Sequence, residues 1–330
     1  MTIQSPTTPT TPTTPTLTQL RALNLGDILD QTFRVFRKHF LLLMGIIAVI
    51  SVPVAVIQGF GAWQYTQNFQ QGISGRGVDT SDPSVVFGSA LTSSVPLLFT
   101  TLLSTIAGLF QTGALASAIS ELYLGRTISI GRAYRGVLRR VGSLLLATLI
   151  VGFVFLAFVA VFSGAILIAS LAGPLGVVIF CLLVPVSLVF LGVAIAAATY
   201  WTFVSQAIVL EDRGAIAGLR RSWNLVRGSF WRVLGITLLI GLLVAVASSV
   251  PILMTQFGVS LAFPKSLAAQ TVLNQVVAAV VTILLGPISA IAHTLLYYDL
   301  RVRKEGFDLE LMARQLAATA NTDDVSAQPL

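Results

Sequence analysis

The chain has 330 residues, of which 55% are apolar and only 10% charged, with a mean hydropathy of +0.88. A soluble domain carries about 25% charged residues, so an ordinary water-soluble globule is excluded. The net charge of +7 raises nucleic acid as a partner, but the arginines lie beside apolar runs, where anionic lipid headgroups explain them without it.

Residues 1–19 are rich in Thr and Pro, with the run TTPTTPTTPTLT, and carry no charge and no apolar core. Such a segment buries nothing against the entropy cost of ordering, so a disordered tail is expected. It has neither the basic start nor the apolar centre of a secretory signal. Asn24, three residues before Asp27, is a helix start. A crossing helix needs about 20 apolar residues, and the uncharged stretches of a membrane domain over 20–316 supply six. The expected spans are 40–60, 96–119, 143–170, 175–203, 233–256 and 272–298. Spans three and four come from one run too long for a single crossing, which must fold back at Ala172, Gly173 and Pro174. Pro53, Pro185, Pro251 and Pro287 fall inside spans, as packing kinks or as hinges. The single cysteine, Cys181, excludes an intramolecular disulfide and a zinc–cysteine cluster, and its place in mid-span predicts a buried, inert thiol. Residues 317–330 read as a second disordered tail.

All but Arg76 and Lys265 of the 20 basic residues cluster at four places: before span one, after spans two and four, and after span six. This is the positive-inside pattern of a polytopic protein. It predicts an all-α fold with both termini on the cytoplasmic side of a bacterial inner membrane. Trp63, Tyr65, Tyr200, Trp201, Trp231, Tyr297 and Tyr298 fall at span ends, as an interfacial aromatic belt does.

A repeat lies in the basic segments. Leu25, Ile28, Leu29, Thr32, Phe33 and Phe36 form one helix face. The same spacing returns 105 residues later as Ile130, Ala133, Tyr134, Val137, Leu138 and Val141. It returns more weakly, 190 residues on from the first, as Ala215, Gly218, Leu219, Ser222, Trp223 and Val226. Each reads as a basic amphipathic helix in the interface plane, apolar face in the acyl boundary and arginines on lipid phosphates. The predicted phosphate contacts are Arg34, Arg37, Lys38, Arg132, Arg135, Arg139, Arg140, Arg220, Arg221 and Arg227. Three copies of interfacial helix, crossing out and crossing back predict parallel repeats about a pseudo-threefold axis along the membrane normal.

Catalytic signals are sparse. No Asp, Glu, Lys or Arg is expected deep in a span, where an ion-coupled transporter places one. Glu121 reads as an interfacial carboxylate near Arg126, or as a gating or proton group. His293, about one turn inside span six, reads as a core histidine bonded to a neighbouring helix, or as a titrating sensor; His39 reads as a solvated interfacial group. No metal-ligand spacing, Walker loop or acid–base pair is present, so no cofactor is expected.

Three stretches carry a family resemblance: LNLGDILDQTFRVFRKHF at 23–40, LRRSWNLVRGSFWRVLGI at 219–236 and LLYYDLRVRKEGFDLELMA at 295–313. Over about 20–315 the chain resembles the membrane-domain family of glycerophosphoryl diester phosphodiesterase. That resemblance implies a lipid-facing bacterial membrane protein of unknown role. The soluble hydrolase domain of two-part members needs an early His-Arg-Gly, a Glu-Asn stretch, metal carboxylates and a second histidine. None is present, and no room for that domain is expected after Arg301. The leading expectation is a non-enzymatic scaffold, lipid-organising protein or accessory subunit, in contact with anionic lipids and an unidentified protein partner. A channel or transporter for a neutral or lipid-like solute is the alternative, and an intramembrane enzyme ranks last.

Overall fold

A computed structural model describes residues 23–75, 83–123, 128–171 and 174–306. Among them the chain forms helices and no strand, and a short helix followed by two long ones recurs three times. The first set is α1 (Leu25–Lys38), α2 (Phe40–Gly75) and α3 (Pro83–Tyr123). The second is α4 (Ile130–Leu138), α5 (Val141–Leu171) and α6 (Pro174–Tyr200). A short α7 (Val204–Leu210) precedes the third set: α8 (Ala215–Val226), α9 (Phe230–Ala262) and α10 (Leu267–Glu305). Both predicted tails, with Arg21, Arg76, Arg126 and Arg314, lie outside the described residues.

The protein is an all-α polytopic membrane protein. Five stretches are long and apolar enough to cross a bilayer: Phe40–Gln64, Phe99–Leu122, Cys181–Leu210, Phe230–Ala262 and Leu267–Glu305. Ile130–Leu138 and Val141–Val154 meet the same test together as a pair bent by 67°, which gives six if the pair is one span. The long helices outrun several predicted spans, because the helix continues past the point where hydropathy falls. The fourth predicted span, 175–203, is cut at Tyr200 by a turn over residues 201–203 before α7.

Local rules explain the ends. The Asn24 backbone N–H donates to Asp27 Oδ2 at 3.0 Å, which closes the start of α1 as expected. Pro174 opens α6, where its missing N–H costs nothing. Gly306, at φ 60°, closes α10 in the left-handed conformation.

The three short helices sit where the repeat predicts, but their apolar faces meet protein. Helix α1 buries Ile28 and Thr32, α4 buries Ala133 and Val137, and α8 buries Ala215, Gly218, Ser222, Leu225 and Val226. These residues join the bundle core, while Leu25, Phe33, Leu138, Ile216 and Trp223 at the edges of the faces stay exposed. This corrects the expectation that each whole face lies in the acyl boundary. Periodicity marks an apolar face; lipid and protein interior satisfy it equally well.

Helix α10 is the hub and packs against α2, α9, α1, α3 and α8. The core occupies the basic end of the bundle. Leu43, Ile46 and Ile47 of α2 meet Leu115 and Ile119 of α3 and Ile291 and Leu295 of α10. Beside them Phe203, Val233, Ile236 and Ile240 pack on Leu296, Tyr297 and Leu300. At the opposite end, long apolar side chains of α2, α6 and α9 face outward. Cys181 is among the exposed residues, which corrects its expected burial: α6 is covered on few sides, so mid-span there means lipid. Tyr297 and Tyr298 are also reassigned, being buried in the core and not in an aromatic belt. Trp63 and Trp231 are exposed at the ends of apolar stretches, as a belt requires.

Gly218 lets α8 approach α7 closely. A Cβ there would lie 2.6 Å from Ile208 Cγ1, an atom of a fully buried side chain. Gly218→Val therefore overpacks the seam and is expected to cost about 2 kcal/mol. Thermal unfolding in detergent should show a lowered midpoint that Ile208→Ala in the same chain partly restores. Equal, additive losses in the double variant would place the strain elsewhere.

Candidate functional site

Two buried carboxylates organise the basic end. Asp299, near the end of α10, has no exposed side-chain surface. Its Oδ1 accepts the Leu23 backbone N–H at 2.7 Å, and its Oδ2 accepts from Arg232 Nη2 at 2.9 Å. Arg303 Nε, one turn later on α10, reaches both oxygens at 3.0 and 3.1 Å. The Nη2 atoms of Arg232 and Arg303 also donate to the Leu23 carbonyl, at 2.6 and 2.9 Å. The residue just ahead of α1 is thus gripped by both its N–H and its C=O. A buried carboxylate is tolerated only when paired and hydrogen-bonded, and Asp299 has both.

Glu211 follows α7 and is largely buried. Arg221 of α8 donates through Nε at 2.8 Å to Oε2 and through Nη2 at 2.8 Å to Oε1. Arg213 Nε donates to Oε2 at 2.7 Å, and the Tyr297 hydroxyl donates to Oε1. The other edge of Arg221 grips Glu305 of α10, with Nη2 to Oε2 at 2.7 Å. One planar guanidinium so bridges two carboxylates, a geometry suited to arginine. Arg301 lies 3.6 Å from Glu211 and 3.4 Å from Glu305. Burial raises the Glu211 pKa, but hydrogen bonds from Arg221 and Tyr297, the Arg221 charge and the Arg213 hydrogen bond outweigh it. The net effect holds this carboxyl below its ordinary 4.5. Next to it the exposed Asp212, at φ 58°, pairs with Arg140 where α4 meets α5.

The predicted site residues therefore divide. Arg34, Arg37 and Lys38 on α1, Arg132, Arg135 and Arg139 on or beside α4, and Arg220 and Arg227 on or beside α8 are exposed. Arg221 instead belongs to the internal network, and Arg140 to the Asp212 pair. Glu121 is half-buried near the end of α3, beside Ser120, whose hydroxyl lies 2.7 Å from the Tyr298 hydroxyl. The Arg126 expected to accompany Glu121 lies outside the described residues. His293 is hydrogen-bonded to the backbone of Ser289 in its own helix and not to a neighbouring one, and its Nε2 is buried with no partner among the described residues. Asp299 lies one residue past predicted span six, at the basic end of the stretch Leu267–Glu305; what the sequence did not reveal is its burial. Asp299, Glu211, Glu305, Arg232 and Arg303 were not picked out by sequence reasoning. The signal was present as two i,i+4 pairs, Asp299 with Arg303 and Arg301 with Glu305.

Residues 23–300 match a family described as a domain of unknown function, DUF7847. The chain belongs to that family. No curated protein and no solved structure matches the chain. The match carries no link to the glycerophosphoryl diester phosphodiesterase membrane domain. It begins at Leu23 and ends at Leu300, so it takes in both Asp299 and the backbone that Asp299 holds.

Asp299→Asn leaves Arg232 and Arg303 without their anion and is expected to cost about 3 kcal/mol, the low end for a broken buried pair because both arginines are partly exposed. The unfolding midpoint in detergent should fall clearly, whereas Asp212→Asn should leave it unchanged. The depressed Glu211 pKa gives a second expectation. Its stabilisation is complete above about pH 5 and is lost as pH falls below the ordinary value through the lower folded one. The midpoint should be flat from pH 7 to about 5, then drop; Glu211→Gln should start lower and drop less. An unaltered acid limb in Glu211→Gln would assign the transition to other carboxylates.

Proposed function

We propose that this chain is a non-enzymatic integral membrane protein that engages anionic lipid headgroups, as a scaffold or accessory module of a bacterial plasma membrane. One observation carries the reading: the cations at one end of the bundle include two contrasting sets. Arg221, Arg232, Arg301 and Arg303 are spent on buried or half-buried carboxylates. Arg34, Arg37, Lys38, Arg132, Arg135, Arg139, Arg220 and Arg227 stand exposed on or beside three short helices. Cations beside a membrane span attract anionic headgroups by about 1 kcal/mol each. The positive-inside rule then puts that end, and both termini, in the cytoplasm. Kinship with the glycerophosphoryl diester phosphodiesterase membrane domain, implied by the three quoted stretches, is part of the proposal, as is an unidentified protein partner. Nucleic acid is not a partner in this reading.

A channel or transporter for a neutral or lipid-like solute is the second reading. It is favoured by uncharged polar pairs inside the span seams. Gln111 Nε2 donates to Ser51 Oγ at 2.8 Å, and Gln275 Nε2 to Gln58 Oε1 at 2.7 Å. Solute flux or lipid scrambling by liposomes holding the purified chain would support it over the first.

The triple substitution Arg132→Gln, Arg135→Gln, Arg139→Gln tests the leading reading. Three cations at about 1 kcal/mol each set a ceiling near 100-fold, and a tenfold loss of selectivity for phosphatidylglycerol over phosphatidylcholine is expected by native mass spectrometry. The loss should shrink as salt rises. Unchanged selectivity would remove the lipid-phosphate mechanism, and hydrolysis of a glycerophosphodiester by the purified chain would contradict the non-enzymatic reading.

A further inference from the structure

The seam between α2 and α10 is closed at the basic end and open at the other. At the open end lies a groove of about 530 Å³. Small residues, Ala55, Gly59 and Ala279, and bulkier ones, Phe60, Trp63 and Val276, line it. Among the described residues no charged one lines it, and the amide of Gln275 is engaged by Gln58. Trp63 lies one residue before the end of the apolar stretch Phe40–Gln64, so the groove runs inward from the membrane boundary with its mouth facing hydrocarbon.

We propose that this groove holds one acyl chain of an anionic phospholipid from the leaflet opposite the basic cluster. The lining is apolar apart from Gln275, whose amide is already paired, and that suits hydrocarbon. Its space of about 530 Å³ along an open seam admits an extended hydrocarbon chain. Pockets of this size fall within the range that small ligands occupy. Charge complementarity points to the headgroup. Lys265, exposed in the connection ahead of α10, is the one basic residue at this end among the described residues. Five residues of α10, roughly 8 Å of rise, separate Val272 from the helix start at Leu267, and Lys265 stands in the turn just before it. This site is separate from the arginine faces of α1, α4 and α8, and its test does not depend on them.

The test uses the full chain in vesicles of phosphatidylcholine containing phosphatidylglycerol with a photoactivatable group on its acyl chain. Photolabelling is expected to concentrate on peptides carrying Phe60, Trp63 and Val276. Gly59→Phe should reduce that labelling at least fivefold, since a Cβ at Gly59 meets nothing within 4 Å and the ring grows into the groove without disturbing the fold. Ala279→Leu provides a second filling variant, and Val189→Phe on the exposed face of α6 should change nothing. Lys265→Gln should lower the preference for labelled phosphatidylglycerol over a labelled phosphatidylcholine. Labelling spread evenly over the exposed helices and indifferent to both filling variants would overturn the proposal. So would efficient disulfide dimers of Val276→Cys in a Cys181→Ala background, which would assign the groove to a second copy.

Discussion

The burial of the Asp299 carboxylate constrains the rest of the basic end. Its side chain has no exposed surface, so its two oxygens must be satisfied by protein. Arg232 brings α9, Arg303 brings the last turn of α10, and Leu23 brings the chain entering α1. Because both arginines also hold the Leu23 carbonyl, the cluster closes on itself, with backbone and side chains sharing the same donors. Helix α1 has only two buried side chains of its own, Ile28 and Thr32, so this clasp is what fixes its start. The Glu211 network does the same for α7, α8 and α10, with Arg221 lying between two carboxylates.

Those clasps sort the positive charge. A cation drawn into a buried pair loses most of its reach towards a membrane surface, and the cations left outside keep theirs. The divided set of arginines is therefore a consequence of where the carboxylates are, and it links the packing of the basic end to the lipid-facing role proposed for it. The opposite end follows a different rule. Few buried side chains hold α2, α6 and α9 there, their outer faces are apolar, and the α2–α10 seam parts into a groove. One bundle so presents headgroup chemistry at one end and hydrocarbon chemistry at the other.

Much of this architecture is legible in the sequence. The uncharged runs fall in the long helices, Pro174 marks the start of α6, with Ala172 and Gly173 outside the described residues, and the spacing of Ile28, Thr32 and their counterparts places the three short helices. What is not legible is what each face meets, because hydropathy scores lipid and protein interior alike. For the same reason Cys181 reads as buried when it faces outward. The site was harder still. Asp299 follows Tyr298, the last residue assigned to span six, so a reading by uncharged runs treats it as an interfacial charge. Its burial depends on Arg232 and Leu23, which are far away in sequence and carry no shared period with it. Only the i,i+4 spacing to Arg303 hints at a pair, and such spacings are common on solvated helices.

The account rests on Asp299 holding α1 to the bundle. Hydrogen–deuterium exchange of Asp299→Asn in lipid nanodiscs tests this directly. The prediction is faster exchange in α1 and at the start of α9, with the amides of α2 and α3 unchanged from the wild type. Exchange in α1 identical to the wild type would show that the helix is held without the clasp and would contradict the account.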